Sequence, residues 1–133
     1  MARGIPQYRF DSGGGGQREE RLNRFFVEPN GKPKKLICLN CTAIIIPCDA
    51  AIDLGAGHTG WYTNPGGYRF YLGCFSRAPG CRADGPESNV NSWFPGYRWT
   101  PAFCTTCAAH LGWRFRSSID QFYGLILTRL VDT

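Results

Sequence analysis

The chain predicts a mostly β fold made of short strands. Three observations carry that reading. Aromatic and β-branched runs recur between breaks rich in Gly and Pro, with 17 Gly and 9 Pro in 133 residues. No long stretch keeps the apolar period of a helix. Two Cys-x-x-Cys pairs stand far apart in the chain, so the fold must bring two turns together.

Taken in order, residues 1–22 read as a flexible, Gly-rich and basic leader. The run 11–17 is dominated by glycine, and Arg18-Glu19-Glu20-Arg21 follows it. Such a stretch buries too little apolar area to offset its ordering entropy. Residues 23–133 read as one domain. Residues 22–27 suit a short strand or helical turn, which Gly31 and Pro33 end. Residues 35–41 read as a strand entering a tight turn. The β-branched Ile44-Ile45-Ile46 predicts a second strand, and Pro47 keeps Ile46 extended. Residues 49–60 are Gly-rich and irregular. The turn Asn64-Pro65-Gly66-Gly67 joins two aromatic segments, the second a strand over 68–75. Residues 78–89 read as a polar loop. Residues 120–131 read as one closing strand, with Gly124 and Thr128 counting against a helix.

The totals limit the function classes. The formal charge is +5, and much of it precedes Cys38. Four thiolates and one Zn²⁺ would lower it by 2, to about +3. A basic leader of this kind is more often solvated than a binding arm, so nucleic acid is disfavoured as a partner. No apolar run has membrane-spanning length, and the first residues lack the apolar core of a secretory signal. With seven cysteines, an odd number, the chain argues against a complete disulfide framework. The expectation is an intracellular protein of cytoplasm or nucleus, a monomer, with a secreted form open only if a signal was removed.

Cys38-x-x-Cys41 and Cys104-x-x-Cys107 predict a tetrahedral S₄ site, and Zn²⁺ fits it best. The metal reads as structural, because a closed Cys₄ shell leaves no position for water. A redox Cys-x-x-Cys would need a βαβ context, which the pattern lacks. Cys48, Cys74 and Cys81 read as thiols outside the site.

Residues 91–115 hold three of the four tryptophans and no acidic residue. Trp113 and Phe115, two apart, share one face of a strand, with Arg114 on the other. Trp93 and Trp99 stand on a loop with Pro95 and Gly96. The aromatics suit either a core cluster or a binding cage. As a cage they would take a neutral ring: the stretch has no carboxylate to favour a cation, and it carries Arg98 and Arg114. Backbone groups near Asn91 and Trp93 would supply polar contacts.

The order Trp93-Phe94-Pro95-Gly96-Tyr97-x-Trp99-Thr100, Cys104-x-x-Cys107, His110-Leu111-Gly112-Trp113-x-Phe115 resembles the cereblon-type thalidomide-binding family, the CULT domains. Asn64-Pro65-x-Gly67-Tyr68 and Phe122-Tyr123-Gly124-Leu125 extend the resemblance, which spans residues 36–131. It implies a β-tent, two antiparallel sheets pinned by the Cys₄ zinc. It implies that Trp93, Trp99 and Trp113 cage a glutarimide-type ring over Phe115. The imide would bond to backbone at Asn91 and Trp93, and Asn64 would sit at the rim. The ligand would be a small cyclic imide, a thalidomide analogue, or a modified protein C-terminus bearing such a ring. Vertebrate members carry histidine where Asn91 stands. The chain is similar to the stand-alone, single-domain type, without a ubiquitin-ligase adaptor docking region, so ligase function is not carried over.

Two other functional classes bear on these residues. Zinc-bearing methionine sulfoxide reductases share the tent but need a cysteine beyond the second pair, and no cysteine follows Cys107. The chain therefore reads as a binding module and not an enzyme. A nucleoside or nucleic-acid binder would use aromatic stacking, and uracil is itself a cyclic imide, so uridine fits the same cage. Among single residues, His110 reads as a hydrogen-bonded structural histidine, His58 as exposed, and Trp61 as a core or loop anchor.

Overall fold

The computed structural model describes residues 35–47, 50–52 and 58–132. The leader at 1–22, the element expected at 22–27, the break at Gly31 and Pro33, Cys48, and much of the stretch 49–60 lie outside the described residues. So do the boundaries assigned to the leader.

Among the described residues the fold is β throughout, apart from one 3₁₀ turn. The opening strand β1 (Leu36–Cys38) runs into the first Cys-x-x-Cys turn and returns as β2 (Ile44–Ile46). A hairpin follows, β3 (Thr59–Thr63) and β4 (Arg69–Phe75), closed by the Asn-Pro-Gly-Gly turn. The Asn64 carboxamide oxygen accepts the Tyr68 N–H at 2.9 Å, a side-chain bond across the turn that fixes it. The short β5 (Cys81–Ala83) precedes a second hairpin, β6 (Arg98–Cys104) and β7 (His110–Arg116), whose tip is the second Cys-x-x-Cys. The chain ends with β8 (Gln121–Ile126), the 3₁₀ turn Leu127–Arg129, and β9 (Leu130–Asp132).

These strands form two antiparallel sheets. One has the order β2-β1-β9 and the other β3-β4-β8-β7-β6-β5. The closing segment expected as one strand is in fact two. The 3₁₀ turn breaks it, so β8 belongs to the large sheet and β9 to the small one. Apolar density alone could not show this corner, because both halves bury residues. The loop expected at 78–89 also contributes β5 to the sheet edge and a bridge between Ser88 and Trp99.

The core lies in two clusters. Leu36, Ile45 and Ile46 of the small sheet meet Phe75, Ala102, Leu111 and Leu125 of the large one near the cysteines. Leu72, Trp93, Phe94, Phe115, Phe122 and Ile126 form the second. Gly80 joins the sheets: its N–H donates to Ile45 O and its carbonyl accepts from Thr105 N–H. A Cβ there would lie 2.3 Å from Ile44 O, so only glycine fits this close approach.

Candidate functional site

Two tight turns build the cysteine cluster, and they are local copies of one another. In the first, Cys38 N–H donates to Ala43 O and Thr42 N–H to Cys38 O. In the second, Cys104 N–H donates to Ala109 O and Ala108 N–H to Cys104 O. Each turn places a non-glycine residue in left-handed backbone at the same step, Thr42 (φ 66°) and Ala108 (φ 67°). The sulfurs of Cys38, Cys41, Cys104 and Cys107 all lie within 4.8 Å of one another. Cys38 Sγ is 3.7 Å from Cys107 Sγ, and Cys41 Sγ is 3.6 Å from Cys104 Sγ. Four sulfurs about 2.3 Å from a central tetrahedral ion would be about 3.8 Å apart, so the donor set fits a metal ion.

The electrostatics point the same way. The Asn40 carboxamide, with the Ala109 N–H, holds the Cys107 thiol down at about 6. Against the Ala43 N–H, which favours its thiolate, burial and the other three sulfurs push Cys41 up to about 12. Four thiolates this close would repel one another, and a bound dication would offset much of that repulsion. Cys81 is the register partner of Cys104. Burial, with the nearby Cys104 and Cys38 sulfurs, pushes its thiol up to about 12, so it stands beside the cluster as a neutral thiol.

The β6–β7 hairpin carries the site outward from the second turn. Trp99 stands opposite Phe115 and Pro101 opposite Trp113. Phe115 is paired in turn with Phe122, and Trp113 with Gly124. Cross-strand partners share a face, so this is one aromatic surface. Trp99 lies in β6, contrary to the expectation that it shares a loop with Trp93. Its backbone is paired with Ser88 on one side and with Phe115 on the other. Trp93 does come from the 89–97 loop, where Asn91 adopts left-handed backbone (φ 57°) and buried Ser92 bonds through Oγ to Phe94 N–H and O. The Trp93 indole N–H donates to Thr63 O at 2.9 Å, and that of Trp99 to Val90 O at 2.8 Å. Trp93 and Trp113 meet edge to face, 5.1 Å apart.

These side chains surround a cavity of about 250 Å³ lined by Asn64, Pro65, Val90, Asn91, Trp93, Trp99, Trp113 and Phe115. All six residues expected as ligand contacts thus converge on one space, from four separate segments. Pro65 and Val90 join the lining beyond those six, each next in sequence to one of them. Phe70 was also missed. It packs edge-on against Trp113 at 5.3 Å, and only the β3–β4 hairpin brings it there.

Some expectations fail. His58 is buried, 3% exposed, edge-on to Phe75. Its Gly-rich neighbours suggested exposure, but its carbonyl accepts from Cys74 N–H and draws it into the sheet. Trp61 is neither core nor loop anchor. It is 56% exposed on β3, against Tyr71 and beneath the Arg69 guanidinium. The arginines of the aromatic stretch do not face the cavity. Arg98, Arg114 and Arg116 stand on the opposite face and share one carboxylate, Glu87. Glu87 lies just before the acid-free stretch 91–115. Hydrogen bonds from Arg98, then Arg116, hold its carboxyl below the usual range. His110, as expected, is a hydrogen-bonded histidine beside the second turn.

No family model matches the chain. Protein cereblon of Danio rerio is 39% identical over 77 residues, 54% of this chain and 18% of that protein. Cereblon of Gallus gallus is 37% identical over 75 residues, covering 53% and 17%. Cereblon of Drosophila simulans is 30% identical over 96 residues, covering 66% and 16%. The chain thus spans less than a fifth of the length of these relatives. The similarity, the two sheets and the four-cysteine cluster are consistent with a cereblon-type domain.

Proposed function

We propose that this cereblon-type domain is a binding module whose three tryptophans hold a small cyclic imide, either free or as the C-terminal ring of a modified protein. One observation carries the reading: Trp93, Trp99 and Trp113 line a single cavity with Phe115, Asn64 and Asn91. At about 250 Å³ the space is below the roughly 300–1,000 Å³ of sites that enclose drug-sized molecules, so it suits one ring with the remainder outside. Two of the three indole N–H groups already serve Thr63 and Val90 carbonyls, so those rings offer their faces to a ligand. An imide ring offers polar edges and an apolar flank, and the backbone near Asn91 and Trp93 would answer the edges. The lining consists of apolar, indole and carboxamide groups, which serve reception rather than catalysis.

In the same reading the four cysteines hold one structural Zn²⁺. The ion would pin the β1–β2 turn to the β6–β7 turn, and through β6 and β7 hold Trp99 and Trp113 in place. A glutarimide has about eight heavy atoms, so a ceiling near −12 kcal/mol applies, and a micromolar affinity of about −8 kcal/mol is reasonable. The test is a tryptophan-fluorescence titration of the metal-loaded protein with glutarimide, thalidomide and uridine. Saturable quenching by the imides, lost in Trp99→Ala with metal still bound, supports the proposal. No response to any of the three rings would sink it.

A further inference from the structure

We infer that Arg129 and His110 are positioning residues that set the orientation of Trp113, and that Arg129 links this wall of the cage to the first cysteine turn. The inference deepens the proposed function and rests on it where ligand affinity is concerned. The geometry of Trp113 stands independently.

The argument starts with a strand irregularity. Ala102 pairs with Gly112 and Phe103 with His110, so β7 carries one extra residue, Leu111. This is a β-bulge, which re-aims the residues on either side of it. By simple alternation His110 and Trp113, three apart, would face opposite ways. The bulge instead sets both rings on one side, edge to face at 4.9 Å and 87°. Leu111 goes to the core between the sheets.

His110 is then held in one tautomer. Its Nε2 lies 2.9 Å from Gly112 O, and a carbonyl can only accept, so Nε2 carries the proton. Gly112 must be glycine, because a Cβ would meet Gly124 O at 2.2 Å. From the other side Arg129 Nη1 donates to His110 O at 2.8 Å and lies 3.5 Å from His110 Nδ1. The same guanidinium stands 6.0 Å over the Phe70 ring, the ring that packs edge-on against Trp113 from β4. Arg129 therefore touches both supports of Trp113. Its own backbone is anchored where the metal site begins: its carbonyl accepts from Leu39 N–H, inside the first Cys-x-x-Cys turn, at 3.0 Å. The 3₁₀ corner between the sheets is what places it there.

The experiment uses the metal-loaded 133-residue chain with 5-fluorotryptophan at its four tryptophans, the Trp113 resonance being assigned with Trp113→Phe. Metal content is measured for every variant. Arg129→Ala and His110→Ala should shift or broaden the Trp113 resonance, leave Trp61 unchanged, and weaken glutarimide about tenfold, a usual size for coupling between neighbours. His110→Gln, whose amide N–H can still reach Gly112 O, should recover most of both signals. The inference is overturned if Trp113 is unmoved in both alanine variants. It is equally overturned if His110→Gln is as impaired as His110→Ala, since packing alone would then explain the effect. Should either alanine variant lose its metal, Arg129→Lys and His110→Gln decide by the same readouts. If the wild-type protein does not bind glutarimide, the proposed function falls, while the fluorine signals still decide the positioning of Trp113.

Discussion

The two faces of the β6-β7-β8 ribbon differ in nearly every property although their residues alternate one by one. One face holds Trp99, Phe115 and Phe122 in one row and Pro101, Trp113 and Gly124 in the next. The other holds Arg98, Arg116 and Gln121, then Thr100, Arg114 and Tyr123. The aromatic face is neutral and hollow. The arginine face is charged, and Glu87 crosses it to join three guanidiniums, itself about 20% exposed like Arg114. Net charge along a stretch of sequence thus does not tell which face of the strands carries that charge. Arg114 is the immediate chain neighbour of Trp113, yet its charge is directed to Glu87 across the sheet.

That comparison can be broken in graded ways. The largest effect should come from removing the metal ion that the four cysteines are proposed to hold, because both faces hang from the turns that carry them. Structural zinc contributes about 10–16 kcal/mol to folding in zinc-finger peptides, against a whole-domain stability of about 5–15 kcal/mol. Strong chelation, or Cys104→Ser, should therefore unfold the domain. Native-like near-UV circular dichroism after complete metal removal would contradict the scaffold role.

Next in size is a change confined to the aromatic face. Trp113→Ala should abolish measurable imide binding and lower stability by less than the about 3–5 kcal/mol of a fully buried aromatic, because Trp113 is only half-buried. Calorimetric titration and thermal melts on the same variant separate the two effects. Unchanged affinity would mean that the cavity is not the site.

A change confined to the arginine face should do the reverse. Glu87→Gln should lower the melting temperature at neutral pH, where the carboxylate is charged, and leave ring binding unaltered. The pH sign follows from the depressed carboxyl. Glu87's contribution is fully present above the ordinary carboxylate range and is lost as pH falls through its lowered folded value. The stability difference between wild type and Glu87→Gln should thus shrink on acidification. A difference independent of pH would show that the ion cluster contributes little.

His110 offers a smaller pH effect on the aromatic side. Burial, and then Arg129, lower its protonation range, against the Gly112 hydrogen bond. Stability from the neutral ring is present above the unfolded value and lost as pH falls through the lower folded one. His110→Gln should remove that slope in melts below neutral pH. The smallest effect belongs to the matched turns. Ala108→Gly relieves left-handed backbone and should raise stability by at most about 1 kcal/mol, because glycine's entropy offsets part of the gain. A drop in melting temperature would mean that the Ala108 side chain packs usefully.

Much of the site was legible for local reasons. A Cys-x-x-Cys turn is a short-range device, so the four ligating candidates could be read from spacing. Trp113 and Phe115 share a face by the period of a strand. The β1, β2 and β4 segments announced themselves by β-branched or aromatic runs between breaks. What escaped was non-local. His58 looked exposed because its burial comes from a strand distant in sequence. Trp61 looked buried because aromatics usually are, yet it sits on an edge strand. Glu87 reaches Arg98, Arg114 and Arg116 only because the β5–β6 connection lies over those strands. The bulge at Leu111 is invisible to any alternating pattern.

By itself, then, the sequence determined the β class and the two cysteine turns, because each rests on spacing within a few residues; the six residues around the cavity are legible only through the family resemblance. Only the tertiary structure decided that residues 120–131 turn a corner between sheets, that Arg98, Arg114 and Arg116 converge on Glu87, and that Arg129 reaches His110. Those depend on register and on a backbone irregularity, where one inserted residue reverses which side every following side chain faces.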